Sequence, residues 1–160
     1  MVKNSKNLLI KFIFLVSIIA LVSAFFIEYI LGHQPCNLCL LERIPYLLAI
    51  IVILLAYKFI QFEKFFIFLL TLIFLAGTIL SLYHLGIEQG FIQESLVCDL
   101  KSGSNLLSKD EILKQLQEKN VNCKDVTFKI FGLSLTSYNI IISLLITFGT
   151  AKIYLNYEKN

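Results

Sequence analysis

Long apolar stretches alternate with short charged ones along the chain. Phe12 to Leu31 is a run of twenty residues whose one charged residue is Glu28. A helix of that length rises about 30 Å, which matches the hydrocarbon layer of a bilayer. The pattern predicts an all-α membrane protein, a single domain over residues 1–160 built as a four-transmembrane-helix bundle. The spans are expected at about residues 12–31, 36–57, 65–85 and 131–151.

The second span depends on where counting starts. Ile44 to Tyr57 has only fourteen residues, but a helix that begins at Cys36 has 22 and rises about 33 Å. Glu42 and Arg43 then lie inside the helix near one end. Glu42 has no cationic residue four positions later in the span, so it is expected to face water. Pro45 removes an amide from the helical hydrogen bonding, which predicts a kink.

Composition agrees with a membrane location. Hydrophobic residues make up 58% of the chain and charged residues only 16%, whereas soluble proteins average about 25% charged residues. The net charge of +3 comes from dispersed lysines, so no nucleic-acid partner is expected. A cleaved signal peptide ending near Ala24 is the alternative for the first stretch. That stretch exceeds the usual apolar core of about 7–15 residues, which favours an uncleaved span.

Basic residues indicate the orientation. Segments 1–11, 58–64 and 152–160 hold seven Lys or Arg in 27 positions, and segments 32–43 and 88–130 hold seven in 55. Because cytoplasmic segments are enriched in basic residues, both termini are expected in the cytoplasm. The loops at about 32–35 and 88–130 then lie on the outer side of the membrane, which for a bacterial inner membrane is the oxidising periplasm.

The long loop has a helical pattern of its own. Ser108 to Glu111 has the form of a capping box, and apolar residues follow at helical spacing. The pattern predicts a short amphipathic helix over residues 109–118, either on the membrane surface or in solvent.

All four cysteines fall on the outer side in this topology: Cys36, Cys39, Cys98 and Cys123. Disulfides persist in such oxidising compartments, and four cysteines allow three pairings. Two structural disulfides are one interpretation, although a CxxC ring is too small to constrain the unfolded chain much. A zinc site made by all four cysteines is another, but Cys98 and Cys123 are 25 residues apart and form no second knuckle. No metal site is therefore predicted.

The CxxC also has chemistry of its own. A helix N-terminus favours a thiolate, and Arg43 lies one helical turn after Cys39, where its charge would favour the anion. The alternative role for Arg43 is an anchor at the membrane surface. These features favour thiol–disulfide exchange.

The segment from Gln34 to Arg43 is similar to the PCxLCxxER signature of the bacterial disulfide-bond formation protein B (DsbB) family. Tyr83-His84 near the end of the third span, Cys98-Asp99 early in the loop, and Phe131-Gly132-Leu133 at the fourth span are also similar to that family. The resemblance covers nearly the whole chain. It implies a dithiol:quinone oxidoreductase that reoxidises a periplasmic DsbA-like oxidase with a thioredoxin fold.

The resemblance also implies a role for each pair of cysteines. Cys98 and Cys123 match the loop pair that accepts electrons from the partner, with Cys98 forming the mixed disulfide. Cys36 and Cys39 match the pair that passes electrons to ubiquinone or menaquinone, with Cys39 as the thiolate that contacts the quinone.

Three charged or polar residues complete the comparison. Arg43 matches the arginine that supports quinone binding, and His84 lies in the region that borders the quinone. Glu28 does not fall at the position of a first-span glutamate found in some members, so it receives no role. Two alternatives remain, a vitamin K epoxide reductase-like oxidoreductase and a membrane scaffold with structural disulfides. The first is disfavoured because its CxxC lies late in the chain.

Overall fold

The computed structural model describes residues 2–93, 98, 123–124, 129–130 and 132–158. Helix α1 spans Val2–Tyr29, and the short α2 spans Asn37–Leu41. Helix α3 spans Ile44–Lys58, a 3₁₀ turn spans Ile60–Phe62, and α4 spans Glu63–Glu88. Strands β1, Lys129–Ile130, and β2, Leu133–Ser134, precede the last helix, α5, which spans Leu135–Glu158.

Within the part of the chain that the structure describes, four helical segments are long and apolar enough to cross a membrane. They are Asn7–Tyr29, Asn37–Lys58, Ile60–Glu88 and Leu135–Asn156. The prediction of an all-α membrane protein with four spans is therefore confirmed. The amphipathic helix predicted over residues 109–118 lies outside the described residues.

The second span is interrupted where the sequence predicts a kink. Helix α2 ends at Leu41 and α3 begins at Ile44, with Glu42 and Arg43 in a turn between them. Pro45 occupies the first turn of α3, where its missing amide leaves no helical hydrogen bond unmade. Both turn residues keep right-handed backbone angles, with φ −66° and ψ −16° at Glu42 and φ −77° and ψ −25° at Arg43, so the span continues through the turn.

The fourth span starts later than the predicted boundary at 131. Strands β1 and β2 form an antiparallel hairpin in which Ile130 pairs with Leu133, and Gly132 takes a positive φ of 83° in the turn. Helix α5 begins only after this hairpin. Its N-terminus is capped by the hydroxyl of Ser134, which accepts a hydrogen bond from the Ser137 amide at 3.4 Å.

Two buried clusters lie inside the bundle. The larger contains Ile13, Tyr46, Ile53 and Phe74 and holds the four spans together through their middle. Large apolar side chains such as Leu145 and Phe148 are exposed on the outside, as expected where lipid is the solvent. The smaller cluster contains Cys36, Leu38, Ile87 and Cys123 and lies at the end of the bundle where α4 ends.

Candidate redox site

Cys36 and Cys39 open the second span. Cys36 is the N-cap of α2, and its sulfur accepts a hydrogen bond from the Cys39 amide at 3.2 Å. Neither cysteine is in a disulfide, and Cys36 is buried while Cys39 is partly exposed. The site therefore presents a free pair of cysteines. Their position at a helix N-terminus is the one that the sequence predicts.

The sulfur of Cys36 is surrounded by donors. The Cys39 thiol and the ring of His84, 3.5 Å from the Cys36 sulfur through Nε2, both face it. Cys36 precedes the first helical residue of the span. Hydrogen bonds from the Cys39 thiol and from His84, opposed by burial, lower the pKa of Cys36 to about 5. In the reduced pair, Cys36 is therefore the thiolate that the structure stabilises. The sequence predicted the thiolate at Cys39.

Cys98 and Cys123 form a disulfide. Cys123 is 3% exposed and belongs to the same buried cluster as Cys36, and Cys98 packs against that cluster. The side-chain amide of Asn37, inside the CxxC, donates a hydrogen bond to the carbonyl of Cys98 at 3.2 Å. Among the pairings that the sequence left open, the structure contains the disulfide between Cys98 and Cys123, and it packs this disulfide against the free cysteines of the CxxC.

Glu42 is buried, and the expectation that it faces water is wrong. One carboxylate oxygen lies 2.8 Å from Nδ1 of His84, and the other accepts a hydrogen bond from the Asn139 amide at 3.0 Å. The turn after Leu41 directs this side chain into the bundle. A carboxylate buried among apolar helices is stable only with such partners.

The fourth span supplies the rest of this polar network. Asn139 contacts Tyr46 and donates a hydrogen bond to Ser81 at 2.8 Å. Thr136 donates to Glu88 at 2.6 Å and lies 3.2 Å from Nδ1 of His84. Polar residues within apolar spans are the sequence signal for such a network, because they are costly there without partners.

Arg43 pairs with an acidic residue of the first span. Its guanidinium donates to the Glu28 carboxylate at 2.5 Å and lies 5.3 Å from the centre of the Phe25 ring. Glu28, to which the sequence assigned no role, is thus the ion-pair partner of Arg43. The guanidinium of Arg43 is thus engaged by a carboxylate, and its support of the Cys39 thiolate stays a prediction.

A cavity of about 530 Å³ lies beside the CxxC between α1, α3 and α5. Its walls are mainly apolar side chains from these helices, and its polar lining includes His33, Cys39, Arg43 and Asn139. Two of the three predicted quinone-binding residues, Cys39 and Arg43, line it. The structure places the third, His84, against Cys36 and Glu42.

The family model for "Disulfide bond formation protein DsbB" matches residues 6–152. The chain belongs to the DsbB family. A protein of Rickettsia prowazekii (strain Madrid E), described as uncharacterized, is 35% identical over 147 residues, which are 87% of this chain and 83% of that protein. No solved structure matches.

DsbB membership fits the site and sets the general activity. It identifies the chain as a membrane protein of disulfide-bond formation, and it implies disulfide oxidoreductase activity of a general kind. Family membership therefore decides against the alternative of a vitamin K epoxide reductase-like protein. The scaffold alternative required two structural disulfides, and the free state of Cys36 and Cys39 does not supply the second.

Proposed function

We propose that the protein is a quinone-dependent thiol oxidase of a bacterial inner membrane that reoxidises a periplasmic DsbA-like partner. Electrons pass from the partner to Cys98 and Cys123, then to Cys36 and Cys39, and then to the quinone pool. The observation that carries the proposal is the position of Cys39. It belongs to a CxxC packed against the loop disulfide, and it also lines an apolar cavity.

The first exchange occurs at the loop disulfide. A thiolate of the reduced partner attacks Cys98, the Cys98–Cys123 bond breaks, and a mixed disulfide forms. The partner's second thiol then attacks its own sulfur in that bond and releases the partner oxidised. Cys98 and Cys123 are left as thiols, with two electrons and two protons gained.

The second exchange joins the two cysteine pairs. The loop dithiol reduces a Cys36–Cys39 disulfide and itself returns to the disulfide form, so electrons and protons balance. Burial of Cys36 and Cys123 in one cluster supports this transfer because the two sulfur pairs need little movement to meet. The observed state, with the loop pair oxidised and the CxxC reduced, corresponds to the protein after this exchange.

The cavity fits a quinone in size and chemistry. About 530 Å³ falls within the range of about 300–1,000 Å³ typical of small-molecule sites. The apolar walls suit an isoprenoid chain, and Arg43 and Asn139 offer hydrogen-bond donors to carbonyl oxygens. Bound there, a quinone supplies a two-electron, two-proton acceptor that regenerates the Cys36–Cys39 disulfide. Ubiquinone and menaquinone share this chemistry.

Orientation follows from the same scheme. The CxxC and the loop pair lie at one end of the bundle, and a periplasmic partner requires that end to face the periplasm. The distribution of basic residues supports the same orientation, with both termini in the cytoplasm.

The test is anaerobic mixing of the purified protein with a reduced DsbA-like partner and each quinone in turn. Quinone reduction is followed by ultraviolet absorbance and partner oxidation by thiol labelling. Cys39→Ser and Cys98→Ser should each abolish quinone-linked oxidation of the partner, while Ser137→Ala, at the same end of the bundle, should retain it. Oxidation at the wild-type rate by either cysteine variant would disprove the proposed electron path.

A further inference from the structure

Three metal-ligating atoms converge in the reduced centre. The sulfur atoms of Cys36 and Cys39 and a ring nitrogen of His84 all lie within 4.8 Å of one another. A tetrahedral zinc site with the usual bond lengths has S–S edges of about 3.8 Å and S–N edges of about 3.6 Å. The observed distance from the Cys36 sulfur to Nε2 of His84 is 3.5 Å, so this edge already has the length that zinc requires.

The second nitrogen of His84 has the partner expected at a metal site. Histidines that bind metals usually donate their other N–H to a carboxylate, which fixes the tautomer and the ring orientation. Nδ1 of His84 lies 2.8 Å from a carboxylate oxygen of Glu42, and Asn139 holds the other oxygen. Once Nε2 gives up the proton that it donates to Cys36, a ring that still donates from Nδ1 to Glu42 presents the lone pair of Nε2 to a metal held by the two sulfurs.

The charge of the surroundings also favours a cation. Glu42 and Glu88 are both buried beside His84, and Glu88 lies 3.8 Å from Nε2. One oxygen of Glu88 has no hydrogen-bond partner among the described residues. The neighbouring cation, Arg43, is paired with Glu28. When His84 is neutral, two thiolates beside Glu42 and Glu88 accumulate negative charge, which a divalent cation between the sulfurs would offset.

We propose that the dithiol form of this centre binds one Zn²⁺ through Cys36, Cys39 and His84, and that the disulfide form does not. Three protein ligands leave a fourth coordination position next to Glu88. Cys39 and Glu42 line the cavity, so an ion can reach the centre from that side. Binding displaces two protons, the thiol proton of Cys39 and the Nε2 proton that His84 donates to the Cys36 thiolate, and it involves no change of oxidation state.

Zinc at this position blocks electron transfer, a consequence that rests on the proposed function. Both sulfurs donate their lone pairs to the metal and cannot form a disulfide. The site would therefore make the oxidase sensitive to free zinc, and only in its reduced state.

The binding test uses the full-length protein in detergent, reduced, freed of metal and titrated with Zn²⁺ against a chromophoric chelator. The double variant Cys98→Ser/Cys123→Ser removes the competing loop dithiol and should still bind one Zn²⁺ per chain. His84→Ala should weaken binding at least tenfold, and Glu42→Gln by about 10–100-fold. Thr71→Ala, which changes the first half of α4 away from the three ligands, should bind as the parent does.

Two results would overturn the site. One is zinc binding that disappears with the loop cysteines, and the other is a His84→Ala variant that is folded and binds as tightly as the parent. If His84→Ala does not fold, X-ray absorption of the zinc-loaded parent decides the question. The proposal requires two sulfurs at about 2.3 Å and a nitrogen at about 2.0 Å, whereas a shell of sulfur alone contradicts it.

An activity measurement separates this inference from the proposed function. Zinc should inhibit quinone-linked oxidation of the partner, and a chelator should restore it. Tight binding without inhibition would refute the blocking role. A protein that shows no quinone-linked activity refutes the proposed function, while the titration still tests the zinc site.

Discussion

Glu28→Gln tests whether the first span positions the arginine of the cavity. The Glu28–Arg43 hydrogen bond is 2.5 Å long, and the two side chains are only 21% and 14% exposed. Hydrogen bonds to charged groups contribute about 1.5–3 kcal/mol, and partial exposure reduces this pair to about 1–2 kcal/mol. Since 1.4 kcal/mol is tenfold in an equilibrium constant, losing the pair corresponds to about five- to thirty-fold.

The loss should appear in quinone binding. Glutamine keeps the size of the side chain but not its charge, so the guanidinium is no longer held beside the cavity. We expect KM for quinone to rise by up to that factor, while the rate at saturating quinone changes little. The assay is steady-state partner oxidation over a range of quinone concentrations. Glu63→Gln makes the same chemical change at the start of α4, which is the end of that helix far from the CxxC. This control variant should leave KM unchanged.

A double-mutant cycle decides whether Glu28 acts through Arg43. Arg43→Gln alone should raise KM at least as much as Glu28→Gln, and the double variant should be no worse than Arg43→Gln. Additive effects, or a Glu28→Gln variant with the parent's KM, would refute the reasoning. A lower thermal midpoint with unchanged KM would assign the pair to stability alone.

Two further predictions concern packing. Asn139→Leu leaves the buried Glu42 carboxylate short of a partner, so the free energy of unfolding should fall by about 1–3 kcal/mol. Thermal unfolding in detergent measures this. Equal stability of Asn139→Leu and of Phe148→Leu, at an exposed position of the same helix, would contradict the prediction. Gly77→Val should also destabilise, by about 1–3 kcal/mol, because a Cβ at Gly77 would lie 3.1 Å from the ring of Pro45 in the kink. The matched Gly149→Val places its Cβ in ordinary contact, at 3.4 Å from a neighbouring leucine side chain, and should unfold at a higher temperature than Gly77→Val.

The buried network explains why so many polar residues occur inside these spans. Several of them have a partner on another helix or a backbone partner, whereas the buried hydroxyl of Ser17 has no hydrogen-bond partner among the described residues. Asn139 connects α5 to α4 and to the turn after α2, and Thr136 connects α5 to the end of α4. In a bilayer, where apolar surface alone gives little preference for one helix packing over another, such hydrogen bonds help to select the arrangement. They also fix His84 beside the CxxC.

Sequence alone was sufficient for the features that depend on length and local spacing. Four spans follow from the length of the apolar stretches, because a helix must cross a fixed thickness of hydrocarbon. The interruption near Pro45 follows from the missing amide. The CxxC at a helix N-terminus follows from counting back from Tyr57, and the family signature lies within ten consecutive residues.

Only the tertiary structure decided which distant residues meet. Spacing defines neighbours within one helix, but contacts between helices depend on how each helix is rotated and where it bends. Glu42 meets His84 of α4, and Arg43 meets Glu28 of α1, although spacing within the second span indicates neither contact. The Cys98–Cys123 pair was implied by the family resemblance, but its packing against Cys36 joins segments far apart in the chain and is seen only in the structure. No local pattern encodes these contacts, because they form only when the helices pack.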